Sequence, residues 1–180
     1  MTLKQTRILA VFIIFILNFF FHFGYDWLPN TLFSIFFPVN ESIFEHMKMI
    51  FSSVIFYGII DYFILKKNNI NENSIIFSTL ITSLSTVGIF LIIWLPLFYK
   101  LGENMFLTIT MLFISIVTGQ IINYFLIKKE IHFRYSSIIS TSIIILIYVV
   151  LAYLTYNPPK IELFFDSKEE KYGINTYVVG

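Results

Sequence analysis

This chain predicts an all-α fold: an integral membrane bundle of five transmembrane helices. Three observations carry that prediction. The 180 residues are 57% hydrophobic and only 13% charged, where a soluble domain carries about a quarter charged residues. Five apolar stretches each reach the roughly 20 residues that a helix needs to cross a bilayer. Short polar or basic segments separate them, and no separate soluble domain of normal size fits beside them. Membrane lipid is therefore the expected partner. The net charge of +1 gives no argument for nucleic acid. The absence of Cys removes disulfides, thiolate catalysis and Cys-ligated metal sites.

The first span covers about residues 8–28. Lys4 and Arg7 before it resemble the start of a signal peptide. However, the run ends in Phe19, Phe20, Phe21, His22 and Phe23, with no small-x-small site, so an uncleaved span is expected. The second span covers about 40–65 and stops at Lys66, Lys67, Asn68 and Asn69. The third covers about 74–98, with Pro96 expected to bend its last turn. The fourth and fifth cover about 105–127 and 136–156, the fifth ended by Asn157-Pro158-Pro159. Spans three to five are rich in Ser and Thr, which let helices approach closely in lipid. The connection from Pro29 to Val39 holds Leu32, Phe33, Ile35, Phe36 and Phe37, too apolar for a solvated loop. It reads as a short amphipathic or re-entrant segment.

Orientation follows from the basic residues in short loops. Lys4, Arg7, Lys66, Lys67, Lys128, Lys129 and Arg134 fall on one side, and Lys100 alone falls in the opposite short loop. The N-terminus is expected in the cytoplasm and the C-terminus outside. The tail, 157–180, carries two short strand-like runs, Ile161–Phe165 and Tyr172–Val179, around the charged stretch 166–171. It forms either a short hairpin docked on the outer face or a disordered extension, because an isolated hairpin is marginal in water.

Ionisable residues gather where the first two spans meet at the outer boundary: His22, Asp26, Glu41, Glu45, His46 and Lys48. Charge beside hydrocarbon is costly, so it is usually paired or functional. His22 and Asp26 are four apart and share a helix face. At 1.5 Å per residue they lie roughly 22 Å and 28 Å above Arg7, close to the limit of a core about 30 Å thick. Glu41, Glu45 and Lys48 fall within roughly 60° of one another, while His46 lies about 100° round from Glu45. Imidazoles beside carboxylates suit zinc or another divalent metal, with His22, Glu41, Glu45 and His46 as candidate ligands. Without metal, Glu45 and His46 form a general acid/base pair with Asp26 as an orienting carboxylate. Helix capping explains much of the same cluster: Ser42-Ile43-Phe44-Glu45 is a capping box, and Glu45 can pair with Lys48 at (i, i+3). The spacing matches no His-Glu-x-x-His motif. Asp61 near the opposite boundary is expected to pair with Lys128, Lys129 or Arg134, with Gln120 and Asn123 within reach. Asn18, in mid-span, should bond another helix.

Pro38-Val39-Asn40-Glu41-Ser42-Ile43-Phe44-Glu45-His46-Met47-Lys48 resembles the signature of an uncharacterised family of small bacterial multi-pass membrane proteins. Phe44 stands where the family often has Trp, and Met47 where it has Leu. Pro158-Pro159 and Tyr172-Gly173 in the tail extend the likeness over most of the chain. The resemblance implies a multi-pass fold in the bacterial plasma membrane, and no activity. In such a family, a fixed Asn-Glu-Ser…Glu-His pattern is more than a helix cap requires. Three functions stay open. One is a membrane-embedded hydrolase or transferase working by metal or acid/base chemistry on a lipid, a lipid-linked group or a peptide. Another is a cation or small-ligand binding or transport component. The last is a structural accessory of another membrane protein.

Overall fold

The computed structural model describes residues 2–102 and 104–174, and the backbone of residues 176–177. Six α-helices follow in order: α1 (Leu3–Trp27), α2 (Thr31–Phe36), α3 (Ile43–Lys67), α4 (Glu72–Leu101), α5 (Met105–Lys128) and α6 (Ser136–Tyr156). All but α2 are long and apolar enough to cross a membrane. The long helices outrun the apolar stretches wherever a cap lies beyond them. Thr2 caps α1, exchanging bonds with Gln5 in a capping box, so the helix starts five residues before the apolar run. Asn71 caps α4, which runs through Pro96 to Leu101. The apolar connection holds the short α2, capped by Asn30, whose side chain accepts the Phe33 N–H at 3.0 Å.

Helices α1, α3, α4 and α5 close a ring, each packing on two of the others, and α6 lies against α4 and α2. The core is drawn from that ring: Ala10, Val11 and Ile14; Ile50, Val54 and Tyr57; Phe90 and Trp94; Leu112 and Ile116. Small residues bring α4 and α5 together. A Cβ on Gly119 would run into the Thr86 hydroxyl. Buried hydroxyls in these helices turn back on their own backbone, Ser78 to Ile75 at 2.8 Å and Thr86 to Thr82 at 2.8 Å, so close packing leaves those donors satisfied. Mid-bundle, Asn18 donates to Ser53 on α3 at 2.8 Å. The outward faces are apolar: Phe12, Phe63, Ile92, Ile138, Leu146 and Val149 are all exposed, a surface that suits hydrocarbon rather than water.

Beyond α6 the chain turns back over the bundle end that carries His22. A 3-10 turn (Glu162–Phe164) leads into an antiparallel sheet of three two-residue strands, β1 (Phe165–Asp166), β2 (Lys171–Tyr172) and β3 (Thr176–Tyr177). Phe164 stacks on Phe44 with ring centroids 4.5 Å apart. Of the run Tyr172–Val179, Asn175, Val178 and Val179 lie outside the described residues.

Candidate functional site

The Pro38–Lys48 segment divides into two groups of side chains that face different ways. Glu45 and Lys48 form a buried ion pair, with side chains 1% and 0% exposed. The Glu45 carboxylate also accepts the Val39 N–H at 3.2 Å and the Thr155 hydroxyl at 3.0 Å. Lys48 donates to the Ser34 carbonyl at 2.8 Å and to Thr155 at 2.9 Å. This pair therefore ties α3 to α2, to the end of α6 and to the loop before α3. Ser42 caps α3 by accepting the Glu45 N–H at 3.4 Å. The reciprocal half of the expected capping box is not made: the Ser42 N–H goes to Asn40 at 2.9 Å, and Glu45 is committed to Val39 and Lys48.

On the other face, His22, Glu41 and His46 converge. The His22 Nε2 lies 3.7 Å from one Glu41 oxygen, and the His46 Nε2 lies 3.9 Å from the other. One potential ligand atom from each of the three lies within 4.8 Å of both others. The ligands of a tetrahedral zinc with bonds of about 2.0–2.1 Å stand roughly 3.3 Å apart, so side-chain rotations that move each ligand atom by up to about an ångström would close the trio on an ion. His46 Nδ1 sits 3.0 Å from the Ser42 carbonyl. A carbonyl only accepts, so Nδ1 carries a proton, and in the neutral ring Nε2 is the nitrogen left to ligate a metal.

The loop places Glu41 through bonds on both sides. Asn40 donates to the Gly173 carbonyl at 2.9 Å, and the Glu41 N–H donates to Asp166 at 2.9 Å. Asp166 is fully buried and also accepts the Lys168 N–H at 2.8 Å. The Lys168 ammonium then reaches the Glu41 carboxylate at 3.3 Å. No feature of the sequence singles out Lys168, because its place depends on how the tail docks.

Two cavities meet at this cluster and share Glu41, His46, Thr108 and Lys168. One, of about 390 Å³, runs from His22 down to Asn18, between Phe19 and Phe23 on one side and Met105, Ile109 and Leu112 on the other. The second, of about 160 Å³, lies under the tail between Trp94, Phe98, Phe165 and Ser167. A polar trio thus opens onto an apolar chamber.

Two sequence candidates stand apart from the trio. Glu45 belongs to the buried pair with Lys48 instead, since successive helix residues point about 100° apart and His46 takes the face toward His22. Asp26 is exposed near the end of α1 and makes no polar contact with the trio among the described residues. At the far end of the bundle, Asp61 pairs with Arg7 rather than with Lys128, Lys129 or Arg134. Arg7 also donates to Asn123 at 2.6 Å and to Gln120 at 3.5 Å. Expected as a loop cation, Arg7 instead lies in the first turns of α1 and turns into the bundle.

Fold and site together define a class: an all-helical protein with five helices suited to cross a membrane and a His–Glu–His cluster at one end. Within that class, a family model described as "Family of unknown function (DUF6512)" matches residues 1–174, and the chain belongs to that family. Neither a curated protein nor a solved structure matches it.

Proposed function

We propose that this protein is a multi-pass protein of the bacterial plasma membrane that holds a divalent metal, zinc in the first instance, between His22, Glu41 and His46. The convergence of those three side chains carries the reading. The bias of basic residues, six to one with Arg7 set aside, supports a site at the extracytoplasmic boundary. Three protein ligands leave a fourth position for water, and a metal-bound water ionises near neutral pH. The three side chains that would hold the metal line the 390 Å³ chamber together with Phe19, Ile109 and Leu112. A substrate with an apolar chain and a hydrolysable or transferable polar group fits such a chamber, so metal-assisted hydrolysis or transfer on a lipid or lipid-linked group is the favoured chemistry. Glu45 contributes by bracing the loop that presents Glu41.

The transport alternative finds less support. It calls for a polar track joining the trio to the Arg7–Asp61 layer. Between Asn18 and Arg7, the packed apolar side chains of Val11, Ile14, Ile50, Val54 and Ile116 intervene, each at most 9% exposed.

Metal analysis of the purified protein tests the proposal. About one equivalent of divalent metal per chain is expected, lost in His22→Ala, Glu41→Gln and His46→Ala and kept in Asp26→Asn. Metal that survives the first three changes would overturn it.

A further inference from the structure

At the Arg7 end of the bundle, α1 and α5 leave an open groove of about 450 Å³ whose lining changes character along its length. Lys4, Tyr124 and Phe125 line the end nearest the helix termini, Arg7, Ile8, Gln120 and Ile121 the middle, and Val11 and Val117 the part toward mid-bundle. Lys4 to Val11 spans roughly 10 Å of helix. Charge at the boundary with hydrocarbon beneath it is the order found in one leaflet of a bilayer.

Three further observations point to an occupant. Ile8 and Ile121, on the groove's two walls, are 52% and 51% exposed, so no other element among the described residues covers them. The Lys128 ammonium, outside the groove's lining, sits 5.5 Å from the centre of the Tyr124 ring that lines it, which puts a second cation beside the same mouth. Arg7 is buried, and its Nε–H has no hydrogen-bond acceptor although its other nitrogens serve Asp61, Gln120 and Asn123. Asp61 answers Arg7 from inside the bundle, but among the described residues no carboxylate lines the groove beside Lys4.

We infer that the groove is a binding site for an anionic phospholipid, its phosphate held by Lys4 and Lys128 beside Arg7 and one acyl chain laid along Ile8, Val11, Val117 and Ile121. A zwitterionic lipid offers the same chain, but its own ammonium offsets the phosphate where this site supplies cations. The inference is independent of the His22–Glu41–His46 cluster.

The test is a titration of the full-length protein in a neutral detergent with phosphatidylglycerol, phosphatidylcholine and glycerol phosphate, read by native mass spectrometry. Phosphatidylglycerol should bind at least about tenfold more tightly than phosphatidylcholine, and glycerol phosphate should not compete at the same concentration. Lys4→Gln should weaken phosphatidylglycerol about fivefold, the effect of one basic residue at such a headgroup. Ile121→Trp fills the floor and should abolish lipid binding while leaving thermal unfolding in lipid-free detergent unchanged. Equal affinity for the two lipids would overturn the inference, as would phosphatidylglycerol binding indifferent to both substitutions. Glycerol phosphate competing as well as the lipid would reassign the site to a free phosphate and overturn it too.

Discussion

Glu41 and Glu45 are the same side chain four residues apart, yet they have opposite surroundings. Glu45 is buried against a cation, the end of α6 and the loop before α3; Glu41 is a third exposed and faces two imidazoles and a lysine. Their substitutions should therefore separate cleanly. Glu45→Gln leaves Lys48 buried without its counter-charge, and stability should fall by about 3–5 kcal/mol. Adding Lys48→Met should restore much of that loss, as measured by denaturant unfolding in detergent, with the metal content of the folded fraction unchanged. Glu41→Gln should do the reverse, with near-native stability and lost metal. Lys168 competes with any metal for the Glu41 carboxylate. Because an exposed ion pair contributes up to about 1 kcal/mol, Lys168→Met should tighten zinc binding about two- to fivefold in a chelator competition, whereas weaker binding would show that the ammonium supports the site. Zinc should also be released on acidification, because the imidazoles must be neutral to ligate.

At the scale of elements, the site depends on how segments distant in sequence are pinned together. Two glycines mark the places where backbone must come close. A Cβ on Gly24 would stand 2.7 Å from the Phe37 ring, so α1 and the loop before α3 meet there with no room to spare. Gly173 adopts φ +58°, and a Cβ on it would strike the Thr155 carbonyl and the Pro158 ring. Gly173→Val is thus strained by both backbone and contact. It should undock the sheet and loosen the Asn40–Gly173 bond that helps to place Glu41. Limited proteolysis should then cut between Ile161 and Lys171 faster than in the native chain, with unfolding of the helices little altered. Equal cutting rates would mean that the tail is held by its strands and the Phe44–Phe164 stack alone.

The whole molecule has two polar ends separated by an apolar middle. If the basic end faces the cytoplasm, the natural absence of Cys makes the topology directly measurable. A single Ser167→Cys should react with an impermeant maleimide added to intact cells, and Asn69→Cys should react only after lysis; the opposite pattern would invert the orientation and move the trio to the inner face. The Arg7–Asp61 pair closes the other end and holds α1, α3 and α5 in register through Gln120 and Asn123. Asp61→Asn should lower stability by about 3–5 kcal/mol by stranding the buried guanidinium, measured by thermal unfolding in detergent.

Five long helices, the short apolar segment between the first two and the crowding of ionisable groups at one end all follow from hydropathy and spacing, because hydrocarbon leaves the backbone almost no alternative to a helix. The (i, i+3) pairing of Glu45 with Lys48 is legible for the same reason, being set within one helix. Which acid joins the histidines is not. His22 and Glu41 lie on different segments, and their approach depends on how α1 and α3 are rotated about their axes. Those rotations are settled by side-chain packing around Ile14, Ile50 and Ile116. Likewise Asp61 finds Arg7, and Lys168 finds Glu41, only once the helices and the tail are docked. Local periodicity is a property of the chain; convergence between segments is a property of the packed core, and the candidate site exists only at that level.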